Sequence, residues 1–254
     1  AGKNHYPLGM PFDMDLADDG ISLVDYTRKG IELLDNPEGF FFMVEGGLTD
    51  WAGHGNCLAS SIREVLVLDE CVRLALDFYR EHPEETLIVV TGDHDTGGLA
   101  MGSALSDHSA LRASVDGQTV SMATLMRQIR EWREAKTPFE EALPRLREMF
   151  SWEELPEDVM AELRGAYEAS VQGSEVKERT PVMRRMYGKL DPLQAFLLWK
   201  VANDGGMTWT TTGHTSLPVL TTAIGAGAER FGGWHDNTDL FRFLLESSIG
   251  VAQP

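Results

Sequence analysis

Phe40-Phe41-Phe42-Met43-Val44-Glu45-Gly46-Gly47-Leu48-Thr49-Asp50-Trp51-Ala52-Gly53-His54 is the stretch from which the fold is read. Phe40 to Val44 is an unbroken apolar run with no polar alternation, the pattern of a strand buried on both faces of a parallel sheet. The run stops at Glu45, and Gly46-Gly47 let the backbone turn sharply. Asp50 and His54 are thereby delivered to the carboxyl edge of the sheet, where open α/β proteins keep their sites. The two lie four residues apart. Wound into a helix, that spacing puts both side chains on one face, about 5–6 Å apart at Cβ. A carboxylate and an imidazole so placed can share one divalent metal.

Working outward, Ser22 followed by Asp25 resembles a capping box, and Leu23, Tyr26, Gly30, Leu33 and Leu34 recur at helical spacing, predicting a helix over about 23–35. Asn36-Pro37-Glu38-Gly39 is a turn signal leading into the Phe40 run. After the Asp50 loop, Leu58, Ile62, Val65, Val72, Leu76 and Tyr79 mark the buried stripe of a helix over about 56–81, stopped by Pro83. Thr86 to Thr91 is a second continuous, β-branched run and reads as a second buried strand. Strand, helix and strand in this order make a βαβ unit with a right-handed crossover. Residues 103–207 change character and become helical and acidic, with eleven carboxylates against five basic residues between Glu131 and Glu168. Ser151-Trp152-Glu153-Glu154 reads as a helix start, the segment as a solvated helical insertion at one edge of the sheet, and its Met and aromatic residues as its own core. Leu217 to Ile224 is a third strand-like run, Gly225 to Gly233 a Gly-rich turn, and Asn237 caps a closing helix through about Ser247. The Gly-rich turn lacks the Gly-Lys-Ser/Thr ending of a P-loop.

A chain of 254 residues can bury a sizeable core in one or two domains. Its net charge of -18 argues against nucleic-acid or anionic-membrane partners, although metals can supply local positive charge for a small phosphate substrate. No stretch approaches the roughly 18 apolar residues of a membrane span. The start, Ala1-Gly2-Lys3-Asn4-His5-Tyr6-Pro7, has no apolar signal core, so the chain reads as cytosolic, already processed, or cut from something longer. Cys57 and Cys71, about 21 Å apart if on one helix, are expected as free thiols.

Chemistry-bearing residues fall in four places past strands or in Gly-flanked loops: Glu45; Asp50 with His54; Asp93 with His94; and His214. Each alone reads more readily as a solvated charge, a hydrogen-bonded turn or a structural histidine than as a ligand. Together they put Asp/His sets at the same edge of one sheet. Carboxylates with imidazoles suit zinc, and an all-oxygen position near Glu45 suits magnesium. Two metals about 4 Å apart stabilise both the attacking and the leaving oxygen of a phosphoryl transfer. His5, His82, His108 and His235 lack such neighbours and read as surface or core histidines.

These words, in this order, resemble the C-terminal portion of the alkaline phosphatase family: Val44-Glu45-Gly46-Gly47 with Asp50 and Gly53-His54; Val90 to Gly98; Gly213-His214-Thr215; Gly225 to Glu229; and Asp236 to Asp239. The similarity covers about 10–102 and 208–250. It implies an α/β fold with an alkaline-phosphatase-like sheet, partial here, carrying helices on both faces. Residues 1–102 and 208–254 would form the metal-binding core, and 103–207 a helical insertion. Asp50, His54 and His214 resemble ligands of a first zinc, Asp93 and His94 two ligands of a second, and Glu45 a magnesium ligand. The family's nucleophilic serine sits in an N-terminal half for which no counterpart is found, and Asp107-His108-Ser109-Ala110 is a superficial echo of its Asp-Ser-Ala segment.

The resemblance implies a phosphate monoester hydrolase with two Zn2+ and one Mg2+, homodimeric when complete and periplasmic or secreted. The isolated chain, lacking the nucleophile, is expected to be inactive. The alternatives are an inert metal-binding fragment that needs its N-terminal half, and another metal-dependent phosphodiesterase or phosphomutase of the same superfamily.

Overall fold

The computed structural model describes residues 10–104, 111–171 and 187–249. In chain order the elements are α1 (Leu23–Leu34), α2 (Gly47–His54), α3 (Leu58–Glu81), β1 (Leu87–Val90), β2 (Asp95–Thr96) and β3 (Leu99–Met101). They continue with α4 (Leu111–Gly117), α5 (Met122–Ala135), α6 (Phe139–Phe150), α7 (Glu157–Val171) and α8 (Pro192–Asp204). Last come β4 (Met207–Trp209), β5 (His214–Thr215), β6 (Thr222–Gly225) and α9 (Asn237–Ile249). The chain divides into two compact units, each assembled from three stretches: the described residues of 1–20, 47–65 and 96–215, and those of 21–46, 66–95 and 216–254.

The first unit holds the larger core. Leu125, Ile129 and Trp132 of α5 repeat at helical spacing and bury against Leu146 and Met149 of α6, Leu163 and Tyr167 of α7, and Leu193, Leu197 and Leu198 of α8. The segment expected as a solvated insertion therefore carries most of the buried apolar side chains, and its aromatic residues do form a core. Its helices are capped locally: Ser121 accepts from the Thr124 N–H, and Asp191, ahead of Pro192 at the first helical position, accepts from Leu193. Lys136 and Ser151 end α5 and α6 in the left-handed conformation. Ser151 thus closes a helix rather than opening one, and α7 begins only at Glu157. β3 pairs antiparallel with β4, Leu99 opposite Trp209, and β2 pairs with β5. The lead-in is tied down where the Asp13 N–H donates to Glu64 Oε1 (2.8 Å) and Ser121 Oγ donates to Asp15 Oδ2 (2.5 Å).

In the second unit α1 starts at the expected capping box, the Ser22 hydroxyl and the Asp25 carboxylate each satisfying the other's backbone N–H. The turn at Asn36 to Gly39 also forms, the Gly39 N–H reaching the Asn36 carbonyl. Two expectations fail. Phe40 to Val44 joins no ladder and lies largely exposed, Phe41 at 65% and Met43 at 74%. β1 is a strand as read, but it pairs antiparallel with β6, Ile88 opposite Ile224, so no parallel βαβ unit forms among the described residues. Apolarity reports that a segment needs cover; among the described residues no strand pairs with 40–44 to supply it. Cys57 and Cys71 are buried free thiols, Cys57 lying one residue ahead of α3.

Candidate metal centre

The apolar run ends at Glu45, and α2 begins at Gly47, placing Asp50 in its first turn and His54 in its last, as the four-residue spacing predicts. α2 lies unusually close to the backbone at Thr96. A Cβ on Gly53 would sit 2.8 Å from the Thr96 carbonyl oxygen and 3.1 Å from Thr96 Cγ2, so only glycine fits. That approach lets Thr96 Oγ1 donate to Asp50 Oδ1 at 2.5 Å.

His214 comes from a loop whose three preceding carbonyls are each taken by a different donor. Thr211 O accepts from Asn56 Nδ2 (2.8 Å), Thr212 O from His54 Nδ1 (2.7 Å) and Gly213 O from the Gly97 N–H (2.9 Å). The Gly97 carbonyl in turn accepts from the N–H groups of Thr210 and Thr211. A carbonyl can only accept, so the hydrogen on His54 Nδ1 is fixed and the neutral ring presents the lone pair of Nε2.

His54 Nε2 lies 3.5 Å from Asp50 Oδ2, and His214 Nε2 lies 3.9 Å from Asp50 Oδ1. The two imidazole rings are 5.1 Å apart at 38°. One ligand atom from each of the three residues falls within 4.8 Å of the others. A tetrahedral zinc with bonds of about 2.0–2.1 Å has ligand-to-ligand edges of about 3.3–3.4 Å, so the group fits such an ion after a small contraction. The anchored Nδ1–H of His54 is the outer-shell partner that metal-binding imidazoles characteristically have. All three side chains are partly open to solvent.

The remaining expected ligands fall in the second unit. Glu45 is exposed at the end of the apolar run, and Asp93 pairs with His94 at 3.4 Å between Oδ2 and Nε2. Among the described residues, Asp50, His54 and His214 form the one group of three metal-type ligands. His82 lies against Phe78, the rings 4.6 Å apart and tilted by 31°, and His235 meets Phe243 edge-on (5.6 Å). His5, His108 and the Asp107 to Ala110 echo lie outside the described residues. Thr96 stands inside a word singled out in the sequence, but nothing there marks its bond to Asp50, and Asn56 belongs to none of the candidate ligand sets. The sequence signal for Asn56 is its place after Gly55 at a helix end, where Asn readily takes the positive φ of 54° found here.

The alkaline phosphatase family profile matches residues 6–248. Alkaline phosphatase 3 of Bacillus subtilis is 27% identical over 94% of this chain, which spans 46% of that protein. The chain thus spans under half the length of that curated relative. The crystal structure of the cold-active alkaline phosphatase from a Shewanella species is similar with a TM-score of 0.69 and 26% identity, over 93% of this chain and 52% of that one. Thermus thermophilus alkaline phosphatase shares the fold with a TM-score of 0.73 and 23% identity, over 96% of this chain and 51% of its own. With Asp50, His54 and His214 converging inside a match that covers nearly all of its length, this chain belongs to the alkaline phosphatase family.

Proposed function

We propose that the chain supplies the metal-holding part of a metal-dependent phosphate monoester hydrolase. The observation that carries this reading is the convergence of Asp50, His54 and His214, in a chain of this family, at separations that suit one zinc ion. Asp93 and His94 contribute to a second zinc and Glu45 to a magnesium. Zinc held here supplies Lewis acidity toward a phosphoryl group and its leaving oxygen. Asp50 brings the negative charge that offsets such a cation, while Thr96 holds one carboxylate oxygen and leaves the other facing His54. His54 is kept in one tautomer and orientation by the Thr212 carbonyl. Partial exposure of all three side chains gives a phosphate ester access to them. Cation binding also offsets, at this one place, the field of a chain carrying a net charge of -18, which otherwise repels anionic substrates.

In this reading the nucleophilic serine belongs to polypeptide outside these 254 residues. The exposed, unladdered Phe40 to Val44 run favours a companion reading, in which the chain alone binds metal but is inert until a complementary half covers that run as sheet neighbour. The complete protein is then homodimeric and periplasmic or secreted. The test is bound zinc counted on the purified chain, with aryl phosphate hydrolysis assayed alone and after co-expression with the N-terminal half of a relative. Zinc binding without turnover alone, and turnover with the added half, supports the reading. Absence of bound zinc overturns the metal assignment, and chelator-sensitive turnover by the chain alone places the nucleophile within it.

A further inference from the structure

We propose that Asn56 and Trp199 are positioning residues for the Asp50, His54 and His214 metal group, so that α8 sets the geometry of a site to which it contributes no ligand. This rests on the metal reading above. Asn56 is 2% exposed and sits two residues past His54 with φ at 54°. Its Nδ2 donates to the Gly53 carbonyl at 3.0 Å and to the Thr211 carbonyl at 2.8 Å. Its Oδ1 accepts from Trp199 Nε1, on α8, at 3.0 Å. A single planar amide therefore joins the end of the helix carrying Asp50 and His54, the loop carrying His214, and a helix rooted in the largest core.

The arrangement matters because the next carbonyl of that loop, Thr212 O, is held by a ligand, His54 Nδ1. Without Asn56 the Thr211 carbonyl loses its donor, and the loop is held by the Thr210 and Thr211 N–H groups on the Gly97 carbonyl, by the Gly97 N–H on Gly213 O and by His54 Nδ1 on Thr212 O. Any drift of the loop is then passed to the imidazole that has to face the metal. Trp199 fixes which way the Asn56 amide points: with its indole N–H on Oδ1, both hydrogens of Nδ2 are directed at the two carbonyls.

Asn56→Gly deletes the side chain while keeping a residue at ease with positive φ. Trp199→Phe removes the indole N–H and retains an aromatic ring. The probe is zinc(II), titrated into each purified chain against a chromophoric chelator, with thermal melting followed on the same samples. Asn56→Gly is expected to weaken zinc binding about tenfold and Trp199→Phe about threefold, at a temperature where both remain folded. Cobalt(II) in place of zinc should show an altered visible spectrum in both variants. A purely structural role predicts lower melting temperatures with zinc affinity unchanged within about twofold, and that result overturns the proposal. His214→Ala is the control: if it binds zinc as tightly as the parent chain, the metal reading itself has failed and the proposal goes with it.

Discussion

Replacing Tyr167 with phenylalanine should make the protein less stable at neutral pH and more stable at strongly alkaline pH. Tyr167 is fully buried, edge-on to Phe139 (5.4 Å) and tilted against Trp132 (5.8 Å), and its hydroxyl donates to the Thr137 carbonyl at 2.8 Å. Burial, aided by the charge of Glu141, pushes its phenol from 10.0 to about 12. At about 1.4 kcal/mol per unit, that corresponds to at most about 2.7 kcal/mol against ionisation in the folded state, or about 1.5–2 kcal/mol once the effective dielectric of the protein interior is allowed for. Because the folded value lies above the unfolded one, this stability is fully present below about pH 10 and is lost as pH rises toward 12. Tyr167→Phe forfeits one hydrogen bond, about 1 kcal/mol, but has nothing to titrate. The parent should therefore lead by about 1 kcal/mol at pH 7–9, meet the variant near pH 11, and fall behind above it. Urea unfolding of both proteins from pH 7 to 11.5, followed by circular dichroism, measures this difference while titrations common to both cancel. A lead that stays constant to pH 11.5 refutes the reasoning.

Burial also raises the carboxyl of Glu64, opposed by the bond from the Asp13 N–H and reinforced by the charges of Asp13 and Asp15. The stability that Glu64 contributes is therefore present below about pH 4.5 and is lost as pH rises through its folded value. Glu64→Gln keeps an acceptor for Asp13, so urea unfolding should find it more stable than the parent at pH 7 and indistinguishable near pH 4. Asp191→Ala removes the cap of α8, the 2.6 Å ion pair with Arg133 and the 2.6 Å bond from Ser170 Oγ, and should destabilise by about 3–5 kcal/mol in the same assay. Combining Phe41→Ser with Met43→Ser should change the stability of the isolated chain by less than about 0.5 kcal/mol, since both side chains are exposed, and yet abolish complementation by an N-terminal half.

Local rules were readable and non-local ones were not. The Ser22 and Asp25 capping box and the shared helix of Asp50 and His54 depend on residues three or four apart, and both are found. Leu87 to Val90 is a strand because its β-branched run is continuous, but nothing in the run says that its neighbour is Thr222 to Gly225, or that the two are antiparallel. The Phe40 to Val44 run is exposed rather than laddered for the same reason: apolarity records a demand for burial without naming what meets it. Met207 to Trp209, three residues long, is too short to show a period, and Ser151 looks like a helix start until its left-handed φ is known. Of the group Asp50, His54 and His214, the sequence marks His214 by its Gly-flanked word. The bonds made by Thr96 and Asn56 carry no such mark, because they join residues 46 and 155 apart in sequence.

The alternation of the two units along the chain bears on how the protein comes to be made. The polypeptide passes from one unit to the other after residues 20, 46, 65, 95 and 215, so no single cut of the gene releases either one intact. During synthesis the first unit waits for residue 215 before its last stretch has emerged, and the second for its stretch from 216. Domain-by-domain folding behind the ribosome, the usual safeguard of longer chains, is closed to it. Loops closed over such separations also make for slow folding. Where these 254 residues are produced by themselves, no described strand is there to pair with the Phe40 run. A holdase that binds short apolar segments would find its target there, and yield of soluble protein should rise with slower translation or lower growth temperature more than with any change to the metal ligands.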